Sequence, residues 1–130
     1  MTSPQPPECA LPPADVFSSV CGSRDVLQHL TGRWGALTMV ALLREDELRF
    51  AELGRRVQGI SDRMLSQTLG QLERDGFVQR TVRSTIPPHV EYSLTPLGRR
   101  VAEPLVALIG LVESELPTVM AAREEFDQRG

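Results

Sequence analysis

Arg63, Ser66, Gln67, Gly70 and Gln71 fall on one side of a stretch whose other side is Leu65, Leu69 and Leu72. Arg can place two parallel N–H groups on a guanine edge, and Gln pairs at two points with adenine. Short polar and amide side chains beside one Arg therefore suit base edges in a major groove. An ordinary solvated helix more often shows Glu and Lys on that face. Arg55 and Arg56 precede this stretch, and Arg83 and His89 follow it. All four are of a type that holds backbone phosphate or enters the adjacent minor groove.

Chemistry of other kinds finds little support. The two His, His29 and His89, belong to separate segments. The chain has no His-x-x-x-His, no Cys-x-x-Cys, no Gly-rich phosphate loop and no Gly-x-Ser-x-Gly. Neither an enzyme, nor a metal site, nor a cofactor is expected. Cys21 has two readings. It is a small apolar residue for a core, or a thiol sensor given thiolate character by a helix N-terminus and by Arg24 one turn away. Cys9 lies in a Pro-rich segment.

Charge is unevenly placed. The whole chain carries −3. Between Arg49 and Arg100 there are nine Arg and five acidic residues, a local +4 flanked by −7. A basic centre between acidic ends fits a localised anion-binding face better than a protein that coats nucleic acid indiscriminately. Every basic residue is Arg, which reads as codon bias rather than as a functional signal.

These side chains need a scaffold, and 130 residues suffice for one domain with its own core. Residues 1–15 hold five of the ten prolines and form a disordered tail. A single domain over 16–130 follows. Val26, Leu27, Leu30 and Trp34 recur at helical spacing, and a second helix runs through Leu37, Val40, Ala41 and Leu43. Leu48 to Phe50 is a short extended element. Phe50, Leu53 and Val57 mark a short helix, Gly59-Ile60 a tight turn, and Ser61 the N-cap of a helix over 62–75 that Gly76 closes. Val90, Tyr92 and Leu94 then alternate with polar residues as a strand, paired with Phe77 to Arg83 across a rigid polar tip at 84–88. Thr95 and Pro96 begin a long helix that Pro104 should kink. A last helix runs toward Phe126.

That order is mainly α with a small β-hairpin wing, a winged helix-turn-helix. Winged domains also serve as protein-interaction modules without DNA binding, and fold alone does not choose. The polar, Arg-bearing helix face favours DNA.

Five segments carry a closer likeness: CGSRDVLQHLTGRW from Cys21, LRFAEL from Leu48, GISDRMLSQTLGQL from Gly59, ERDGFV from Glu73 and PPHVEYSLTPLG from Pro87. In this order and spacing they resemble the HxlR family of bacterial transcriptional regulators, related to the MarR-like regulators. The resemblance implies a homodimer on double-stranded operator DNA. It implies a recognition helix over 61–75, a wing over 77–95, and dimerisation through the N-terminal segment and the C-terminal helices (about 96–127). Ser61, Arg63, Ser66, Gln67, Thr68 and Gln71 would read the major groove, with Arg55, Arg56, Arg83 and His89 on phosphate or minor groove. Several members use a Cys matching Cys21 to sense quinones, aldehydes or oxidants. The implied role is a repressor released by a small electrophile at Cys21, or by a bound small molecule. The chain departs from the family where Thr68, Gly70 and His89 stand in place of common cations, which implies fewer phosphate contacts. No basic start with an apolar run marks a secretory signal, and the expected location is cytoplasmic.

The long helix offers Val101, Leu105, Leu108, Ile109 and Val112, more apolar surface than two small strands can cover. This face is expected to bury against a second subunit.

Overall fold

The computed structural model describes residues 14–130. The expected tail, and Cys9 with it, lies outside them as far as residue 13. In chain order the elements are α1 (Gly22–Thr31), α2 (Gly35–Glu45), β1 (Glu47–Leu48), α3 (Phe50–Arg56), α4 (Asp62–Arg74), β2 (Val78–Thr85), β3 (Pro88–Leu94), α5 (Pro96–Ser114) and α6 (Leu116–Gln128). The three strands form one antiparallel sheet in the order β1-β3-β2. This is the expected winged helix-turn-helix.

Most boundaries have local causes. Glu52 accepts the Arg49 backbone N–H at 2.8 Å. That reach-back starts α3 at Phe50 and shortens the expected extended element to Glu47–Leu48. Ser61 Oγ accepts the Met64 N–H at 3.1 Å and caps α4. The wing strands are longer than their apolar alternation indicates. Antiparallel pairing continues outward to Thr85↔Pro88, because backbone pairing requires no apolar side chain. The tip is therefore Ile86-Pro87, with Ile86 90% exposed. The expected polar tip is corrected to an apolar one. Pro104 lies inside α5 without ending it. The chain turns by 58° between α5 and α6.

One core joins the elements. Met39 and Leu42 of α2, Leu53 of α3, Leu65 and Leu72 of α4 are wholly buried, with Phe77, Val78 and Leu94 from the sheet and Ala102 and Leu105 from α5 packed around them. Leu105 thus belongs to this chain's own core, which corrects its expected place on the partner-facing side. Leu108 and Val112 do face solvent, while Val101 and Ile109 are half-buried. Every residue from Gly110 to Gly130 is exposed.

A tight junction forms where hairpin and α5 meet. The Thr95 N–H donates to Phe77 O at 3.0 Å, and Thr95 Oγ1 donates to Gly76 O at 2.6 Å. The same hydroxyl accepts the Gly98 N–H at 3.0 Å. A Cβ on Gly98 would stand 2.0 Å from Phe77 O, and that neighbour is backbone. Gly98→Ala should therefore lower unfolding free energy by at least ~2 kcal/mol, within the range for strain forced on a packed junction. Urea denaturation checks this. A variant as stable as the parent would show that α5 can move off the sheet.

Candidate nucleic-acid interface

The helix-turn-helix is α3, a five-residue turn and α4. The turn closes with the Ile60 N–H on Val57 O at 3.3 Å. Gly59 sits at φ +93°, which L side chains rarely adopt. Along α4, Leu65, Thr68, Leu69 and Leu72 are buried, the i, i+3, i+4, i+7 stripe of an amphipathic helix. Arg63, Ser66, Gln67 and Gly70 are exposed opposite that stripe, Ser61 is exposed at its start, and Gln71 is half-buried.

Thr68 is 6% exposed. It lies one turn beyond Leu65, so its side chain points into the domain and not at a groove. Its expected place among the base readers is corrected accordingly. Met64, missed in the sequence, is 37% exposed on the outer surface. Its position outside the 65-69-72 stripe was the available signal.

Arg55 and Arg63 are exposed and enter no ion pair among the described residues. Arg56 reaches Glu45 at 3.4 Å with both side chains nearly half exposed. A surface pair of this kind is worth at most ~1 kcal/mol, so it leaves Arg56 exchangeable for phosphate. An open cavity of about 430 Å³ between α3 and the wing is lined by Arg49, Phe50, Glu52, Arg55, Pro88 and Val90.

The wing pairs its cation within the sheet. Thr81 pairs with Glu91 and Val82 with Val90, but the register then shifts, so that Ser84 faces His89. Arg83 is the extra residue of this bulge. Its Nε donates to Glu91 Oε1 at 2.8 Å and its Nη2 to Glu47 Oε2 at 2.5 Å. The Glu91 and Glu47 carboxylates raise the Arg83 pKa, and Arg83 holds the Glu91 carboxyl below the ordinary carboxylate range. Arg83 is therefore held by two carboxylates. His89 is half-buried on β3, with Nε2 3.3 Å from Glu91 Oε2 and no hydrogen-bond partner for that nitrogen among the described residues. It stands beside this cluster, one pair in from the outermost pair Thr85↔Pro88.

Behind the interface, α1 is tied to α4. His29 Nδ1 lies 2.6 Å from Asp75 Oδ2, both side chains only 12–13% exposed. Asp75 is the C-cap of α4. At the other end of α1, Cys21 is the N-cap, 4% exposed, with Sγ 2.8 Å from Ser23 Oγ. Arg24 donates to Val16 O at 3.0 Å and Phe17 O at 2.8 Å.

Residues 29–120 match the model of the HxlR-like helix-turn-helix family. The chain belongs to the HxlR-like helix-turn-helix family. It is 50% identical over 111 residues to the uncharacterized HTH-type transcriptional regulator YtfH of Escherichia coli (strain K12), covering 85% of this chain and 87% of that one. The transcriptional regulator ytfH from Salmonella typhimurium superposes with a TM-score of 0.80 at 49% identity, over 85% of this chain and 97% of that one. The redox regulator HypR in its reduced form superposes at 0.69 with 31% identity, over 77% and 98% of the two chains, and in its oxidized form at 0.65 with 34%, over 72% and 96%. This HxlR-family chain is thus a DNA-binding transcriptional regulator, of a family whose named relatives are regulators and not enzymes. No single helix among the described residues is long and apolar enough to cross a membrane.

The His29–Asp75 tie makes a measurable contribution. Asp75→Ala leaves a half-buried imidazole without its partner and should cost about 1–3 kcal/mol. Asp25→Ala removes only a contact of 3.9 Å to the same ring, from a side chain 69% exposed, and should stay within ~0.5 kcal/mol. Paired urea titrations of the two variants decide this, and equal costs would show that the tie contributes nothing.

Proposed function

We propose that the chain is a homodimeric, cytoplasmic repressor that reads a pseudo-palindromic operator with the outer face of α4 and is released when Cys21 is oxidised or alkylated. The single observation that carries the DNA-reading part is that face. Arg63, Ser66, Gln67 and Gln71 project from it with no acidic residue between Arg63 and Leu72. Arg63 and Gln67 leave from the first two turns, the part of a recognition helix that enters the groove. Met64 would lie against a thymine methyl. Ser61, exposed at the start of α4, would stand at the edge of the same groove, with Arg55 and Arg56 on the phosphates beside it.

Dimerisation is supported by the C-terminal helices. α6 buries none of its residues within the chain, yet carries Leu116, Val119, Met120 and Phe126. With Leu108, Leu111 and Val112 of α5 they make an apolar surface larger than scattered exposed side chains explain. A second copy would cover it by symmetry.

The redox part is supported by two features. HypR, a relative by structure, is a redox regulator known in reduced and oxidized forms. In this chain Cys21 begins the helix whose far end is tied through His29 to the C-cap of α4. Modification of a thiol this buried requires the start of α1 to lift. That motion would pull on Asp75 and disturb the one-turn separation the two recognition helices must keep.

Selection from a random duplex library, followed by binding titrations, tests the reading. Gln67→Ala should cost ~1–3 kcal/mol at one operator position and relax preference there, whereas Thr68→Val should retain operator affinity. Equal loss on operator and random duplex would remove Gln67 from the base readers. Leu111→Glu should convert a dimer to a monomer by light scattering, and an unchanged dimer would place the interface elsewhere. A quinone, which alkylates a single thiol by addition, should release wild type and Cys9→Ser from DNA but not Cys21→Ser. Equal sensitivity of Cys21→Ser and wild type would leave control to a bound small molecule.

A further inference from the structure

One guanidinium ties all three strands of the sheet. Glu47 enters on β1, Glu91 on the central β3 and Arg83 on β2. Arg83 is also the residue that the β2 register shift leaves without a cross-strand partner. A bulge re-aims a side chain, and here it brings the guanidinium onto both carboxylates. The Arg83 side chain remains 50% exposed, so nothing steric bars it from a phosphate. The bar is electrostatic. Two carboxylates and one guanidinium sum to one negative charge, and charge-assisted pairing already occupies its Nε and Nη2 donors.

Resting on the reading of α4 and the wing as a DNA interface, we propose that Glu47 and Glu91 compete with DNA phosphate for Arg83. They hold it as a positioning residue of the wing and weaken the wing's sequence-independent grip. Phosphate contacts supply affinity for any sequence, and base contacts supply discrimination. Withholding a wing cation from the backbone therefore shifts the balance toward what α4 reads. The closed clamp also fixes the hairpin to β1, which keeps the wing at one angle to the helix-turn-helix.

Four full-length proteins test this: wild type, Arg83→Gln, Glu47→Gln/Glu91→Gln, and the triple variant. Each is titrated by fluorescence anisotropy against a short random-sequence duplex and a selected operator. Salt is varied from about 50 to about 200 mM, the range over which phosphate contacts are counted. Wild type and Arg83→Gln should share one salt slope. The double variant should be steeper by ~0.9, losing ~3-fold more affinity across that range, as one added phosphate contact requires. The triple variant should return to the wild-type slope. A shallower slope for Arg83→Gln than for wild type overturns the proposal, because Arg83 then already contacts phosphate. A triple variant as steep as the double also overturns it, because the gain then comes from lost negative charge alone. Wild type that binds neither duplex overturns the DNA reading itself and the clamp's role with it. Circular dichroism verifies folding, and if the double variant unfolds, Glu47→Gln alone supports the same comparison at smaller amplitude.

Discussion

Leu65, Leu69 and Leu72 pin α4 to the core, and the outward chemistry depends on that attachment. Side chains on a helix repeat every 3.6 residues, so burying this stripe forces Arg63, Ser66, Gln67 and Gly70 to the opposite side. The magnitudes decide what sets this orientation. Truncating one such buried Leu costs about 2–5 kcal/mol, while an exposed ion pair such as Arg56–Glu45 contributes at most ~1 kcal/mol. The presentation of the polar face is thus a packing result. The charges decorate a surface whose direction was chosen by leucines.

Much of this was legible in the chain itself, since helix periodicity and capping are local signals. Ser61 and Thr95 cap the helices they were expected to cap, and the 65-69-72 stripe is buried. Thr68 enters the base readers only through the family resemblance, although its spacing from Leu65 places it in the stripe. Leu105 was assigned to a partner because sequence cannot show that Ala102 and Leu105 join this chain's own core. The two carboxylates on Arg83 were not legible, because they lie 36 residues upstream and 8 downstream, and a register shift inside a strand leaves no local mark. The tie between His29 and Asp75 spans 46 residues and was likewise invisible. Local chemistry was readable, and pairing between distant charges was not.

The two ends of the molecule differ in how complete they are. The sheet, α2 and α4 satisfy one another within the chain, whereas everything from Gly110 onward is exposed. The 58° turn between α5 and α6 prevents them from acting as one straight rod. This end has apolar side chains but no core of its own. In the proposed dimer its order would be coupled to the second copy that covers it, and its stability to protomer concentration.

The Thr95 junction has a consequence for how such a regulator can change its target. One hydroxyl joins the loop after α4 to the first turn of α5, and Gly98 leaves no slack beside Phe77. The reading helix and the long C-terminal helix therefore turn as one rigid lever, with its fulcrum at the base of the wing. The base letters recognised can drift through the exposed α4 side chains without disturbing that lever. In the proposed dimer, the distance between the two half-sites cannot drift that way. There it would be geared to the far arm, where α5 bends into α6, so that letter and spacing would be set by separate parts of the chain and be free to evolve separately.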